Sequence, residues 1–307
     1  MIMQHIFRQG SVIAAIMKIA SSAILPKSKK DSYQLLLTEI VTEKILPPRS
    51  QNLVNDYITH VGGNPSWYKG TIPSHMFPQW GFPVLVENMK ELPYKFTRIL
   101  NAGVTLEVKH PILIGEPLIA KALLKEIEDD GNRVIMKQEL ITGTKKFPES
   151  LICGITAIVP LKNRGKKEKK DKPIIPENVR EIARLKLRKR CGFDFAMLTG
   201  DINPVHWSKF YAKMIGFPNT IMHGYSIMAR TIEVLNNSLW SGDVTRLKSF
   251  EGRFIKPIIV PVEMSVFIDN AGNVFIGRCP LGSAYFIGSY NKITNFAVKL
   301  LPLGMGM

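Results

Sequence analysis

A carboxylate, an amide and an imidazole crowd together at Asp201, Asn203 and His206, within the run Thr199 to His206 (TGDINPVH). An imidazole with an ordinary pKa near ~6.5 can take or give a proton at neutral pH. A carboxylate beside it can hold a water and share the proton work. The chemistry suggested is acid–base transfer at one side of a substrate. Read without further context, Asp201 is as well a loop carboxylate capping backbone N–H groups, and His206 a half-exposed helix-start histidine.

These side chains need elements to hold them. Asn203 is a good N-cap, Pro204 suits a first helical position and Gly216 suits a stop. The spacing predicts a helix over about Pro204 to Ile215, with His206 in its first turn and Asp201 on the loop before it. A second helix follows Gly224. It is apolar around most of its circumference (Tyr225, Ile227, Met228, Ala229, Ile232, Val234, Leu235) and therefore wants burial on all sides. A curved antiparallel sheet wrapped around it would supply that.

Strand-like runs are present in both halves of the chain. They are Val104–Val108, Leu118–Glu126, Arg133–Thr142 and Leu151–Val159, then Leu247–Ile255, Val262–Asp269, Asn273–Arg278 and Ile293–Leu300. Turn signals at Asp130-Gly131 and Asn270 to Gly272 separate neighbours. Each set follows an apolar helical segment, Val84–Met89 onward in the first half and Gly224–Leu239 in the second. Helix first and antiparallel strands after is an α+β pattern.

The halves also echo each other. Asp56 to Pro65 matches Asp194 to Pro204, Gly81-Phe82-Pro83 matches Gly216-Phe217-Pro218, and His110 to Gly115 matches Lys256 to Pro261. The order is kept, which argues for internal duplication. Between the halves, Lys162 to Lys172 is almost devoid of apolar residues and reads as a solvated linker. The implied division is a basic N-terminal segment at 1–34, a first unit at 35–161, a linker at 162–175 and a second unit at 176–307.

The chain has 307 residues, 45% hydrophobic, which excludes a disordered protein and suits two domains. Its net charge of +16 favours anionic partners such as a phosphorylated cofactor, an acidic carrier protein, a membrane surface or nucleic acid. No nucleic-acid-reading motif accompanies the charge, so no specific nucleic acid is expected. Cys153, Cys191 and Cys279 have no metal spacing, and no His/Cys/Asp/Glu cluster is evident along the chain, so no metal is expected. Structural thiols suit a reducing, cytoplasmic location. Ser11 to Leu25 is too short and too charged at its flanks to span a bilayer. Its small residues at Ser21 to Ala23 are compatible with signal-peptide cleavage, but an amphipathic basic helix that packs on the body or touches a membrane surface is the preferred reading.

The stretch from Phe195 to His206, followed by Ala212, Gly216-Phe217 and Ile221 to Gly224, resembles the hydratase-2 signature of MaoC-like dehydratases. Gly200, Asp201, Asn203, Pro204 and His206 fall at that family's spacing. The detailed resemblance covers about Phe193 to Met228, and the repeat extends it across both halves. The resemblance implies a double hot-dog: two antiparallel sheets, each wrapped around a central helix and packed as a pseudo-dimer within one chain. It implies reversible hydration of trans-2-enoyl thioesters to (R)-3-hydroxyacyl thioesters, carried on coenzyme A or acyl carrier protein, with no other cofactor.

By the same resemblance, Asp201 and His206 are the acid–base pair. Asn203 caps the helix and is a candidate to orient water. Gly224 is the oxyanion donor, since it opens a helix whose N–H groups favour negative charge. His223, Phe217, Tyr225 and Trp80 are candidates for substrate contact. The first half lacks the pair, with Gly63 in place of Asp201 and Ser66-Trp67 in the region of His206. That half could make room for an acyl chain along Trp67, Trp80 and Phe82, which read as readily as core aromatics. A hot-dog thioesterase and a non-catalytic acyl-thioester binder are the alternatives, and further pairing into a homodimer of double hot-dogs stays open.

Overall fold

The computed structural model describes residues 40–90, 92–94, 99–161 and 173–291. The N-terminal basic segment, His5, the linker core at 162–172 and the strand expected at Ile293–Leu300 lie outside these residues.

The first half supplies β1 (Ile40–Leu46), β2 (Leu100–Val108), β3 (Leu118–Asp129), β4 (Arg133–Gly143) and β5 (Leu151–Pro160). The second supplies β6 (Arg180–Leu187), β7 (Ser249–Phe254), β8 (Val262–Ile268), β9 (Asn273–Gly277) and β10 (Phe286–Tyr290). Their spatial order is β1-β3-β4-β5-β2-β7-β10-β9-β8-β6, and every pairing is antiparallel. The order reads the same from either edge when each strand is exchanged for its repeat. The halves are thus related by a pseudo-two-fold at the β2–β7 seam, where Gly103 to Glu107 pair with Arg253 to Ser249. The two sheets expected from the repeat meet edge to edge there and form one continuous sheet.

Among the described residues there are five α-helices: α1 (Gln51–His60), α2 (Pro78–Met89), α3 (Cys191–Thr199), α4 (Lys209–Met214) and α5 (Gly224–Ser238); α2 packs on β3 and β1, α1 packs on α3, and α4 packs on the turn at Pro204–His206. The central helices of the two halves are α2 and α5. On α5, Tyr225, Ile227, Met228, Ala229, Ile232 and Leu235 are all buried, as its apolar circumference demands. One core joins side chains of both halves, among them Tyr57, Phe77, Trp80 and Leu106 with Phe195, Met228, Phe250 and Phe286. The fold is a double hot-dog.

Three readings of local structure need correction. The helix expected over Pro204–Ile215 is split: Pro204–His206 form a single 3-10 turn, Trp207 breaks the helix at φ −138°, and α4 starts afresh with Ser208 accepting from the Tyr211 N–H. Trp207 is drawn away because its indole N–H donates to the Ile202 carbonyl at 3.0 Å. Strands β1, β6 and β10 were not anticipated. β1 and β6 are the sheet's two outer strands, where charged residues interrupt the apolar run and discourage further pairing.

The match between Gly81-Phe82-Pro83 and Gly216-Phe217-Pro218 is not a structural equivalence. Gly81 lies inside α2, whereas Gly216 ends the turn after α4 at φ 100°. The true equivalents are Ile72 and Met222, each leading into its central helix and donating to the carbonyl of Ile112 or Ile258.

Candidate active site

The Asp201 loop is set by α3. Gly200 takes the left-handed conformation (φ 82°) that ends this helix, a conformation a β-carbon would strain. The chain then turns so that the Asn203 N–H reaches the Asp201 carboxylate at 3.4 Å. Asn203 in turn accepts from the Val205 N–H at 3.3 Å and caps the 3-10 turn that carries His206.

Two backbone carbonyls determine how the histidines present themselves. His206 Nδ1 lies 2.9 Å from the Ile221 carbonyl, and His223 Nε2 lies 3.1 Å from the Asp201 carbonyl. A carbonyl only accepts, so the proton of each neutral ring sits on that nitrogen. His206 therefore keeps a lone pair on Nε2, free to act as a base. The rings stack with centroids 3.5 Å apart, and Phe195 backs His223 at 5.0 Å. His223 Nε2 is also 3.9 Å from the Asp201 carboxylate.

Burial dominates the electrostatics. It lowers the His206 pKa below the ordinary imidazole value, opposed by the Asp201 charge and the bond to Ile221. It raises the Asp201 carboxyl, opposed by His206. It depresses His223 strongly, with the neighbouring His206 adding to the effect. The two members of the candidate pair are thus moved toward each other, a condition that favours proton exchange.

Gly224 begins α5 directly after His223. His223 occupies the cap position without a side-chain cap bond, and among the described residues nothing accepts the Gly224 N–H. Unpaired N–H groups at the start of a 15-residue helix suit a developing negative charge. The absent side chain is also required here, since a β-carbon on Gly224 would lie 2.9 Å from the Phe254 ring.

The remaining candidates divide. Tyr225 is buried among Phe77, Phe82 and Phe254 and donates to Asn101 Oδ1 at 3.4 Å, and its burial above all, with smaller contributions from Cys153 and Asp201, raises its pKa. Phe217 packs on Val205, Ala212 and Ile221 and supports the loop from behind. Trp80 is not at the site: it is buried in α2 with its indole N–H on Thr142 at 3.1 Å, a core residue of the first half. Trp67 lies against Gly242. Asn101 escaped sequence reasoning, although the bulge between Asn101 and Gly103 re-aims this end of β2.

Metal ligation also needs revision. Asp201, His206 and His223 each offer a ligand-type atom, all within 4.8 Å of one another, a grouping invisible in their sequence spacing. His206 Nδ1 and His223 Nε2 are committed to carbonyls, so any ion would have to use the opposite ring nitrogens.

The equivalent place in the first half is filled. Asn64 caps its own turn as Asn203 does, but a β-carbon on Gly63 would collide with the Glu233 carboxylate, which arrives from α5. Glu233 accepts from Tyr68 at 2.7 Å and from Asn236 at 3.1 Å, and lies 3.1 Å from His75 Nε2. Both Glu233 and His75 are 1% exposed. This half keeps the frame of the site and encloses a buried polar cluster instead.

Residues 172–275 match the family model described as MaoC like domain. The peroxisomal enoyl-CoA hydratase 2 of Arabidopsis thaliana is 26% identical over 182 residues, covering 54% of this chain and 58% of that enzyme. The match spans less than two thirds of the plant enzyme's length, and smaller shares of two further curated relatives. The crystal structure of HtdX from Mycobacterium tuberculosis superposes with a TM-score of 0.64 at 15% identity, covering 82% of this chain and 99% of that one. Another M. tuberculosis protein, described as having a double hotdog fold, superposes at 0.53 and 7% identity over 81% of this chain and 96% of its own.

Proposed function

From the premise that residues 172–275 are a MaoC-like domain, we propose that the chain is a hydro-lyase that adds water reversibly to trans-2-enoyl thioesters, giving (R)-3-hydroxyacyl thioesters. The observation that carries this reading is the placement of the Asp201 carboxylate and the His206 imidazole within 4.8 Å of each other, with the His206 Nε2 lone pair left free by the bond of Nδ1 to the Ile221 carbonyl.

In the hydration direction, a water held by Asp201 and His206 gives a proton to the pair as its oxygen bonds to C3. The double bond's electrons move toward the thioester carbonyl, and C2 receives a proton in return. The enolate-like charge on the carbonyl oxygen falls to the Gly224 N–H at the start of α5. His223 acts through Asp201 as a positioning residue, because it holds the backbone of that loop. All steps use side chains and one backbone N–H of this chain and the substrate's own carrier, coenzyme A or acyl carrier protein, with no resident cofactor. The basic surface suits either carrier's phosphates or acids.

The test is hydration of enoyl-CoA from short to long acyl chains, with wild type beside Asp201→Asn and His206→Ala. Loss of turnover by about 100-fold or more in each variant, with the fold intact, is expected. Unchanged turnover in both would remove the assignment. Release of free thiol from acyl-CoA would point to a thioesterase, and saturable binding without turnover to a thioester sensor.

A further inference from the structure

We propose that α4 and its lead-in dock on an anionic membrane surface. Phe210 is 80% exposed, Met214 64% and Trp207 44%. Phe210 and Met214 stand one helical turn apart on the same face of α4, while Ala212 on the opposite face is fully buried. The helix is therefore anchored by its inner side and presents aromatic and thioether side chains outward.

The exposed charges around them are predominantly cationic. Lys209 and Lys213 are exposed on α4 itself. Arg188, Lys189 and Arg190 are exposed at the start of α3, which is brought alongside by the edge-on contact of Phe193 with Trp207 at 6.4 Å. Among the described residues, Lys209, Lys213, Arg188 and Lys189 form no ion pair; Arg190 pairs with Asp194 at 3.0 Å. Protruding apolar side chains flanked by exposed cations, four of them without an ion pair among the described residues, are the complement of an anionic lipid interface. A short convex helix with separate protrusions offers no groove to a folded partner, whereas a fluid interface closes around each side chain. Trp207 directly follows His206, so docking sets the site beside the phase in which long acyl chains concentrate. That last consequence rests on the hydration reading, and the docking does not.

The experiment is flotation of the full chain with vesicles of phosphatidylcholine, alone and mixed with phosphatidylserine, at low and high salt. Wild type is expected to float with the anionic vesicles and to be released by salt. Phe210→Ser with Met214→Ser should lower the partition coefficient by about tenfold or more. Lys209→Glu with Lys213→Glu should abolish the preference for phosphatidylserine. All four positions are exposed, and circular dichroism checks that the fold persists. Failure of wild type to float overturns the proposal, as does flotation of the Ser variant equal to wild type, which would place docking elsewhere in the chain. A concentration-dependent dimer, or capture by an acidic carrier protein, that is lost in the Ser variant while vesicles remain unbound also overturns it. Flotation is read without turnover, so the result is independent of the hydration assay.

Discussion

Replacing Gly224 by alanine tests the geometry at the start of α5 more sharply than removing a catalytic side chain. The new β-carbon would lie 2.9 Å from two carbons of the Phe254 ring and 3.2 Å from a third. Ordinary carbon contacts begin near ~3.5 Å, so the ring or the first turn of α5 must yield by about 0.5 Å. Phe254 has little freedom, being held by Tyr225 at 5.8 Å and Phe286 at 5.4 Å. Overpacking of this kind costs about 1–3 kcal/mol. A 1 Å misplacement of reacting groups costs about 100-fold, so half of that predicts roughly a tenfold loss in kcat. Adding Phe254→Leu should relieve the collision and recover both stability and turnover, because the N–H itself is retained. The assays are denaturant unfolding and enoyl-CoA hydration on the same preparations. Gly224→Ala with wild-type stability and wild-type kcat would refute both the collision and the assignment of the N–H.

Glu233→Ala should cost about 3–5 kcal/mol in denaturant unfolding, because Tyr68, Asn236 and His75 lose a shared buried partner; Glu233→Gln should cost less, since Oε1 still accepts from Tyr68. Asn203→Ala should lose about 1 kcal/mol of stability through its cap and lower turnover through the Asp201 loop, and Asn203→Asp should restore the stability. Stability should fall as pH drops below 6.5, because His60 (lowered to about 3, mainly by burial), His206 and His223 bind protons more readily unfolded than folded. Each contributes a slope of about 1.4 kcal/mol per pH unit in its window, whereas Asp201, raised in the fold, acts with opposite sign just above 3.8. A melting temperature flat from neutral pH to pH ~5 would contradict this. A chelator should leave hydration unchanged; loss restored by added zinc would give the Asp201–His206–His223 grouping a metal.

The motif was readable because a carboxylate, a cap and an imidazole close in sequence remain close in space when a tight turn joins them. Asp201, Asn203 and His206 are such a set. His223 and Gly224 come near them because the Ile221 N–H donates to the Val205 carbonyl and the Ile221 carbonyl meets His206 Nδ1, which brings the lead-in of α5 back to the turn, and the spacing within Asp201 to His206 does not record that return. The strands with regular alternation or long apolar runs were found. β1 and β6 were missed because outer strands carry charges that break the pattern, and β10 because five residues with two small ones (FIGSY) offer little periodicity. Trp80 illustrates the converse case: an aromatic in the half without the acid–base pair reads as a wall for an acyl chain, while its indole N–H bonds to a core threonine. The buried Glu233 gave no signal at all, since a glutamate on a helix usually faces water and two of its partners, Tyr68 and His75, lie in the other half of the chain.

The glycine at position 63 has a consequence for how such a molecule can be assembled. Seen as two polypeptides rather than one, the halves would meet along the β2–β7 seam and through their shared core, and Gly63 as the notch and Glu233 as the tooth would add a fit of shape and charge between them. Two copies of the second half facing each other would set Glu233 against the Asp201 loop, carboxylate toward carboxylate, with a β-carbon where the notch should be. Cutting the chain between its halves should therefore still yield the mixed pair and not two like pairs. On that outcome the half without the acid–base pair would be the counterpart that its neighbour can no longer replace with a copy of itself.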